Sequence, residues 1–228
     1  MLFKSELLAQ TSGSLDGTTF SHNRYGRYTR RRATPTNPNS TAQASIRQGM
    51  AMAHVAWVAL SAAVKQGWDD YAAGTPVVNR LGETIYLTGR AMFVRQYVLR
   101  KYSGITQITT APTSMGLCVL STPTAVYDIS DAQVTLNYNA ADGWNTTTGG
   151  FLNIAVAQPQ SSGVSFFKGP YILASAVEGN TAAPPASPKL FTPPYVYSAN
   201  HKLFLRCMAV DSEGRISAPY LFQGTIQA

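Results

Sequence analysis

The second half of the chain contains short runs of alternating side chains that are separated by turn-forming residues. Apolar side chains fall on every second position across residues 134–138 and again across residues 203–209. A period of two places alternate side chains on opposite faces of a β-strand, so each run predicts a strand with one buried face. The pattern therefore favours β structure for the residues that follow Gly104.

Seven strand-like runs follow Gly104, with turn pairs such as Asp142-Gly143 and Glu213-Gly214 between them. Many short strands, each bounded by turn residues, are typical of an antiparallel β-sandwich. We therefore predict a sandwich domain over residues 105–228. The predicted strands span residues 116–121, 133–139, 151–157, 164–167, 171–177, 202–210 and 218–226.

A helical period precedes this region. Ser40 or Thr41 can cap a first helix, after which apolar residues recur at steps of three and four positions. Ser61 can interrupt this stripe and cap a second helix, which continues to Tyr71. We interpret the stripe as a packing face. It consists of Ile46, Met50, Ala53, Trp57, Leu60, Val64, Trp68 and Tyr71.

A third helix is predicted over residues 90–102, with Thr88 as its cap. The three helices make up a predicted small helical domain over residues 40–104. The polar positions of the third helix are cationic, and we expect them to form a solvated surface. They are Arg90, Arg95, Arg100 and Lys101.

Trp57 and Trp68 lie eleven residues apart on the apolar stripe. Such large side chains anchor packing, either against another helix of this chain or against a neighbouring subunit. We therefore include both among the candidate partner-binding residues.

Positive charge is concentrated in the first part of the chain. Residues 1–104 hold 13 Lys and Arg against 5 Asp and Glu, whereas residues 105–228 hold 5 against 6. Residues 1–39 read as an extended, Arg- and Tyr-rich arm in which Phe20 can start a short strand. The candidate partner-binding residues of this arm are Arg24, Tyr25, Arg27, Tyr28, Arg30, Arg31 and Arg32.

This cationic segment has two interpretations. Arginines interleaved with tyrosines in a flexible strip suit single-stranded nucleic acid, where phosphates pair with arginine and bases stack on tyrosine. They suit equally an acidic groove on a protein, where arginine forms bidentate pairs with carboxylates. The rest of the chain adds few cations, whereas nucleic-acid-binding proteins usually spread them over a face, so we favour a protein partner.

The sequence offers no pattern for catalysis. It lacks the nucleophile-elbow, phosphate-loop and zinc-protease motifs, and its three histidines are isolated. We expect no enzyme activity, no cofactor and no metal site. Cys118 and Cys207 are expected to be buried free thiols. Trp144 lies in a predicted turn, where it either caps the sandwich core or stacks on a sugar, and we favour the cap because tryptophan is usually buried.

The composition is typical of a protein that packs against other proteins. Charged residues are only 13% of the chain and aromatic residues 11%, which leaves a surface rich in uncharged polar side chains. No secretory signal opens the sequence, and no apolar run reaches the ~18 residues of a membrane helix. We therefore expect folding in a reducing cytoplasm and no membrane partner.

Two resemblances follow from particular residues. Residues 203–219, with Arg206, Ala209, Gly214 and Pro219, resemble the late-strand signature of fibronectin type III domains. Residues 133–138 look like the second strand of that family, with Tyr138 where the family usually has tryptophan. The resemblance implies an immunoglobulin- or fibronectin III-like sandwich and indicates no function.

Residues 13–73 resemble a group of uncharacterised structural proteins of tailed phages and prophages. The similarity rests on a glycine-bearing arm, Asn-Arg-x-Gly-x-Tyr-x-Arg, Asn-Pro-Asn-Ser-Thr-Ala-Gln, and a helix carrying Trp57-x-x-Leu60 and Trp68. It implies a small structural protein of the virion.

These observations lead to an α+β fold with an extended arm, a helical anchoring domain and a C-terminal antiparallel sandwich. We expect a non-enzymatic virion component, capsid- or tail-associated, of the decoration, cement or connector type. Its partners would be capsid, connector or tail subunits and further copies of itself. The alternatives are a nucleic-acid-binding protein that uses residues 24–32, and a surface module that binds a glycan or receptor through loops such as residues 142–145.

Overall fold

The computed structural model describes residues 13–23, 26–34, 39–79 and 82–227. The chain divides into two compact units, Met1–Thr41 and Ala42–Ala228. Helices and strands both contribute to the second unit, so the predicted mixed α+β class is confirmed.

The described part of the first unit is a small antiparallel sheet rather than an open strip. Its three strands lie in the order in which they follow along the chain, with Phe20 opposite Thr29. Asp16 occupies the left-handed region at the first turn, with φ 48°, a conformation that the short polar side chain of aspartate tolerates. The strands are β1 (Gly13–Leu15), β2 (Thr18–Asn23) and β3 (Gly26–Arg31).

Helices begin the second unit, and their starts follow local capping chemistry. The Ser61 hydroxyl accepts a hydrogen bond from the Val64 amide at 3.4 Å, and Thr88 accepts one from Ala91 at 3.3 Å. Both predicted caps are therefore confirmed. The elements are α1 (Thr41–Ala59), α2 (Ala62–Gly74), β4 (Val77–Val78), β5 (Thr84–Ile85) and α3 (Gly89–Ser103).

An aromatic cluster joins the three helices. The Phe93 ring on α3 lies 5.5 Å between centroids from Trp57 on α1 and 5.5 Å from Trp68 on α2. Trp68 and Phe93 meet edge to face at 79°, an arrangement that aromatic pairs prefer. Tyr71 and Tyr97 complete the cluster from α2 and α3.

The rest of the second unit is a β-sandwich. Its strands and one short helix, in chain order, are β6 (Thr124–Asp128), β7 (Gln133–Asn137), α4 (Gly143–Thr146), β8 (Phe151–Ala157), β9 (Gln160–Ser161), β10 (Tyr171–Glu178), β11 (Lys189–Phe191), β12 (His201–Val210) and β13 (Tyr220–Gln227).

Two antiparallel layers enclose the core of the sandwich. One layer has the strand order β10-β8-β12-β13 and the other the order β6-β7-β11. A parallel pairing of β13 with β6, with Thr225 opposite Val126, joins the layers along one edge. This arrangement is that of a fibronectin III- or immunoglobulin-like sandwich. Alternate residues of β7 and β12, such as Leu136 and Leu205, are fully buried between the layers.

The helices cover the outer face of the larger layer. The Asn153 side chain on β8 donates to the Ser103 hydroxyl at 2.9 Å, and Leu99 of α3 packs against the cluster that contains Phe151. Because β8 faces the core on one side and the helices on the other, all seven of its residues are buried. This explains its nearly continuous apolar sequence.

Two predicted strands are wrong. Residues 116–121 are not a strand, because their polar groups bond elsewhere: the Gly116 amide donates to Thr75, and the Ser121 amide donates to Asp142. Residues 164–167 are not a strand either. The strands β6 and β11 were missed instead.

Candidate functional site

The cationic arm residues lie mainly on β3 and just after it. Arg24 and Tyr25 lie outside the described residues, and Arg27 belongs to β3. Tyr28 is half-buried, whereas Arg30, Arg31 and Arg32 are exposed. The Arg32 amide donates to the Gly17 carbonyl at 2.8 Å, which fixes the backbone of the segment.

The strand geometry divides these side chains between the two faces of the sheet. Tyr28 lies opposite Ser21 and Arg30 opposite Thr19, so both project from one face. Arg31 lies opposite Thr18 on the other face. The described part of the predicted extended arm is thus paired into a sheet, and Arg30 and Arg31 do not form a single cationic stripe.

The two predicted tryptophan anchors have different environments. Trp68 has no exposed surface and its indole N–H is already bonded to Thr109. It is a core residue of this chain, and its assignment as a partner-binding residue is wrong. Trp57 is half-buried against Phe93, and its remaining exposed edge keeps it a candidate.

Trp144 caps the sandwich core. It is fully buried, its ring packs 5.2 Å from Tyr138, and its indole N–H donates to the Asp142 carboxylate at 3.3 Å. Asn145 is also buried. These loop residues therefore do not offer an aromatic surface to a sugar.

The predicted solvated surface of α3 holds for Arg90 and Lys101, which are exposed, but not for Arg95 and Arg100. Arg100 is only 1% exposed and donates to the carbonyl oxygens of Asp211 at 2.8 Å and Thr106 at 3.1 Å. Burial lowers the pKa of Arg100, although the carboxylates of Asp211 and Glu178 act in the opposite direction. Arg100 thereby fixes α3 to the end of β12.

Arg95, one turn earlier on α3, is half-buried, and burial lowers its pKa while Tyr71 opposes the shift. It lies in a groove of about 810 Å³ between α1, α3 and the outer face of the sandwich. This volume falls within the range of about 300–1,000 Å³ that is usual for ligand sites. The lining side chains are those of Ile46, Met50, His54, Thr88, Arg90, Ala91, Val94, Arg95, Val98, Leu99, Tyr102, Tyr171, Arg206, Met208 and Ile216.

Sequence reasoning missed this groove, although two of its signals were present. Ile46 and Met50 belong to the predicted apolar stripe, yet they are 40% and 47% exposed. Arg90 and Arg95 belong to the predicted cationic face. The stripe and the cationic face meet here because α1 lies beside α3.

Cys118 and Cys207 are free and buried, as predicted. Burial raises the pKa of each thiol to about 12, so both are protonated at neutral pH and chemically inert. Within the described ranges, no three His, Cys, Asp or Glu side chains gather where they could hold a metal ion. Nor does any described helix combine the length and the apolar character that crossing a bilayer requires.

No protein-family model matches the chain, and no curated protein sequence matches it. Solved structures are similar to about half of it, and two of them are the following. An Fn3-like protein from Clostridium thermocellum is 18% identical over 49% of this chain and 95% of its own, with a TM-score of 0.32. The adhesin domain of Epf from Streptococcus pyogenes is 15% identical over 50% of this chain and 34% of its own, with a TM-score of 0.30.

Proposed function

We propose that the chain is a non-enzymatic structural subunit of a tailed-phage particle, capsid- or tail-associated, that works through contacts with neighbouring subunits. The surface of α1 carries the proposal. Within this fully described helix of 19 residues, Gly49 and Ala53 are the only buried positions. Val55 and Val58 are each 71% exposed, and the helix contains no Asp or Glu. An apolar helix surface of this kind is stabilised when a neighbouring protein covers it.

Two further observations support an assembly role. Covering each exposed valine would contribute about 1–2 kcal/mol, and repeated contacts in a particle multiply such modest gains. The hydrogen bond from Arg100 to the Asp211 carbonyl fixes α3 to the sandwich, and the contact of Trp57 with Phe93 packs α1 against α3. The resemblance of residues 13–73 to phage structural proteins supplies the setting, with the arm contacting adjacent subunits.

The proposal is tested on particles released by cells that carry the gene. Particles purified on a density gradient should contain the chain at a fixed number of copies per particle, measured by quantitative mass spectrometry. Arg30, Arg31 and Arg32 are exposed, so a reagent that modifies arginine side chains should label them in the isolated protein and be blocked in the particle. Absence of the chain from purified particles would overturn the proposal.

A matched pair of variants tests the α1 surface. The double variant Val55→Asp, Val58→Asp should fold but should not be incorporated, because it places carboxylates in the contact. Val196→Asp is the control, since Val196 is 76% exposed on a sandwich loop and should leave incorporation unchanged. Equal incorporation of both variants would show that α1 is not the contact.

The second candidate function is nucleic-acid binding through the arm. It is favoured by the exposure of three consecutive cations, Arg30, Arg31 and Arg32. Because Arg30 and Arg31 project from opposite faces of the sheet, the bound nucleic acid would have to pass along the end of the sheet. Binding should then fall steeply with added salt and disappear when all three arginines are replaced by alanine. No retention of DNA or RNA at low salt would end this alternative.

A further inference from the structure

The groove between α1 and α3 has the shape of a helix-binding site. Ile46, Met50 and His54 line one wall at successive turns of α1, a span of about 12 Å at 1.5 Å per residue. Val94 and Val98 line the opposite wall on α3. Rows of side chains four residues apart form the ridges into which another helix packs. An elongated apolar groove with two helical walls therefore matches a third helix better than a compact small molecule.

The charge of the groove is one-sided. Arg90, Arg95 and Arg206 line it, and within the described chain no Asp or Glu does. The Arg206 guanidinium lies 5.5 Å from the centroid of the Tyr171 ring, and its Nε is buried without a hydrogen-bond partner. Arg90 instead contacts the His54 ring across the groove from α3 to α1. Among the described residues, no carboxylate forms a salt bridge with these guanidinium groups.

We propose that this groove binds an acidic amphipathic helix of a partner protein. The apolar face of that helix would cover Met50, Val94 and Val98, and its carboxylates would pair with Arg95 and Arg206. Charge-assisted pairs of this kind are stronger than neutral hydrogen bonds and fix orientation. This helix would belong to a neighbouring subunit of the particle, and only that identification of the partner rests on the proposed structural function.

Charge decides against the other occupants. A second copy of this chain would bring its own basic α1 and α3 against the three arginines, and like charges repel. An anionic amphiphile shares the chemistry of the carboxylate, but it would leave much of the two helical walls uncovered. Both remain outcomes that the experiment distinguishes.

The test uses the full chain and two designed fluorescent peptides of about 15 residues. Both carry the same leucine face with helical spacing, and they differ only in flanking Glu or flanking Lys. Fluorescence anisotropy should show binding of the Glu peptide and at least about tenfold weaker binding of the Lys peptide. The double variant Arg95→Glu, Arg206→Glu should reverse this preference, which a misfolded protein could not do.

Two single substitutions on the same helix provide the matched control. Met50→Asp places a carboxylate in the groove and should weaken binding of the Glu peptide by at least about tenfold. Met52→Asp changes the other methionine of α1, which is 36% exposed and does not line the groove, and it should leave binding unchanged. Circular dichroism and the thermal midpoint check that both variants fold.

Several results would overturn the proposal. One is the absence of binding at about 100 µM peptide, and another is equal binding of the Glu and Lys peptides. Binding of dodecanoate without binding of the peptide would assign the groove to small amphiphiles, and self-association abolished by Met50→Asp would assign it to a second copy. These peptide measurements do not depend on particles, so the groove can fail while incorporation persists, and the reverse.

Discussion

At the scale of single residues, Arg100 defines how the helices are attached to the sandwich. It is almost fully buried, and its guanidinium lies 5.5 Å from the centroid of the Phe151 ring. Its two backbone acceptors belong to Thr106 and Asp211. The sequence places Arg100 on a cationic helix face, but nothing local reveals a carbonyl group that comes from so distant a part of the chain.

We expect Arg100→Ala to lower the free energy of unfolding by about 3 kcal/mol, because two carbonyl groups lose their donor and a large cavity remains. Urea denaturation of the full chain measures the loss. Lys101→Ala is the control, since Lys101 is exposed on the same turn and should change stability by less than about 0.5 kcal/mol. Similar small effects of both substitutions would show that the buried arginine is not a structural link.

Cys207 makes stability depend on pH in the alkaline range. Its pKa in the folded protein is about 12, whereas an unfolded thiol has a pKa of about 8.5. The protonated thiol therefore stabilises the fold fully below about pH 8.5, and this contribution is lost as the pH rises toward the folded value. At pH 10 the loss from this thiol should be about 2 kcal/mol.

The measurement compares wild type with Cys207→Ala by urea denaturation between pH 7 and pH 10. The difference in stability at pH 7 gives the cost of removing the side chain. That difference should shrink as the pH rises, because the variant has no thiol to ionise at this position. A difference that stays constant across the range would contradict the buried, protonated state of Cys207.

At the scale of elements, local signals predicted most of the structure. The capping residues Ser61 and Thr88 fixed the helix starts, and the predicted strand at residues 151–157 has the observed bounds. β6 and β11 were missed because each is short and lies next to proline, at Pro123 and Pro188. Proline is tolerated at both places, because β11 is an edge strand and β6 begins only after Pro123.

The candidate site was less predictable than the fold. The arm cations follow from composition alone, so the sequence identified them. The groove needs Met50 of α1, Val94 of α3 and Arg206 of β12 to come together, and these residues belong to separate predicted domains. Periodicity within one element does not report which other element will lie beside it.

Gly89 permits the close crossing of α2 and α3. A Cβ atom built there would lie 2.6 Å from the Trp68 carbonyl carbon, and the Gly89 amide donates to the Asp69 carboxylate at 3.0 Å. We expect Gly89→Ala to lower the free energy of unfolding by about 2 kcal/mol or more, because the helices must separate. Thermal and urea unfolding measure the change.

Gly49→Ala in α1 is the matched control. Its added Cβ would meet only Val98 at 3.9 Å, an ordinary contact distance. Since alanine favours the helix over glycine by about 1 kcal/mol, this substitution should be neutral or stabilising. The opposite order of the two effects would contradict the packing described for α2 and α3.

At the scale of the molecule, the helices and the sandwich are joined by polar contacts as well as by apolar packing. Arg100 on α3 donates to the Asp211 carbonyl at 2.8 Å, and the Asn153 side chain on β8 donates to the Ser103 hydroxyl at 2.9 Å. Leu99 packs against a cluster that includes Phe151 and Ile216. Separating the helices from the sandwich would expose all of these groups together.

We therefore expect residues 42–228 to unfold in one cooperative transition, because neither the helices nor the sandwich keep their buried surface without the other. Scanning calorimetry on the full chain should give equal calorimetric and van't Hoff enthalpies for this transition. Near-ultraviolet circular dichroism, which reports Trp68 in the helices and Trp144 in the sandwich, should lose both signals at one temperature. Two separated transitions would indicate independent domains.

The parallel pairing of β13 with β6 has a consequence for synthesis. Every other described strand precedes β13 in the chain, so each leaves the ribosome before it. Until residues 220–227 emerge, the nascent polypeptide exposes the free edges of β6 and β12, which attract other strands. The sandwich is therefore most open to pairing with foreign strands just before this segment emerges.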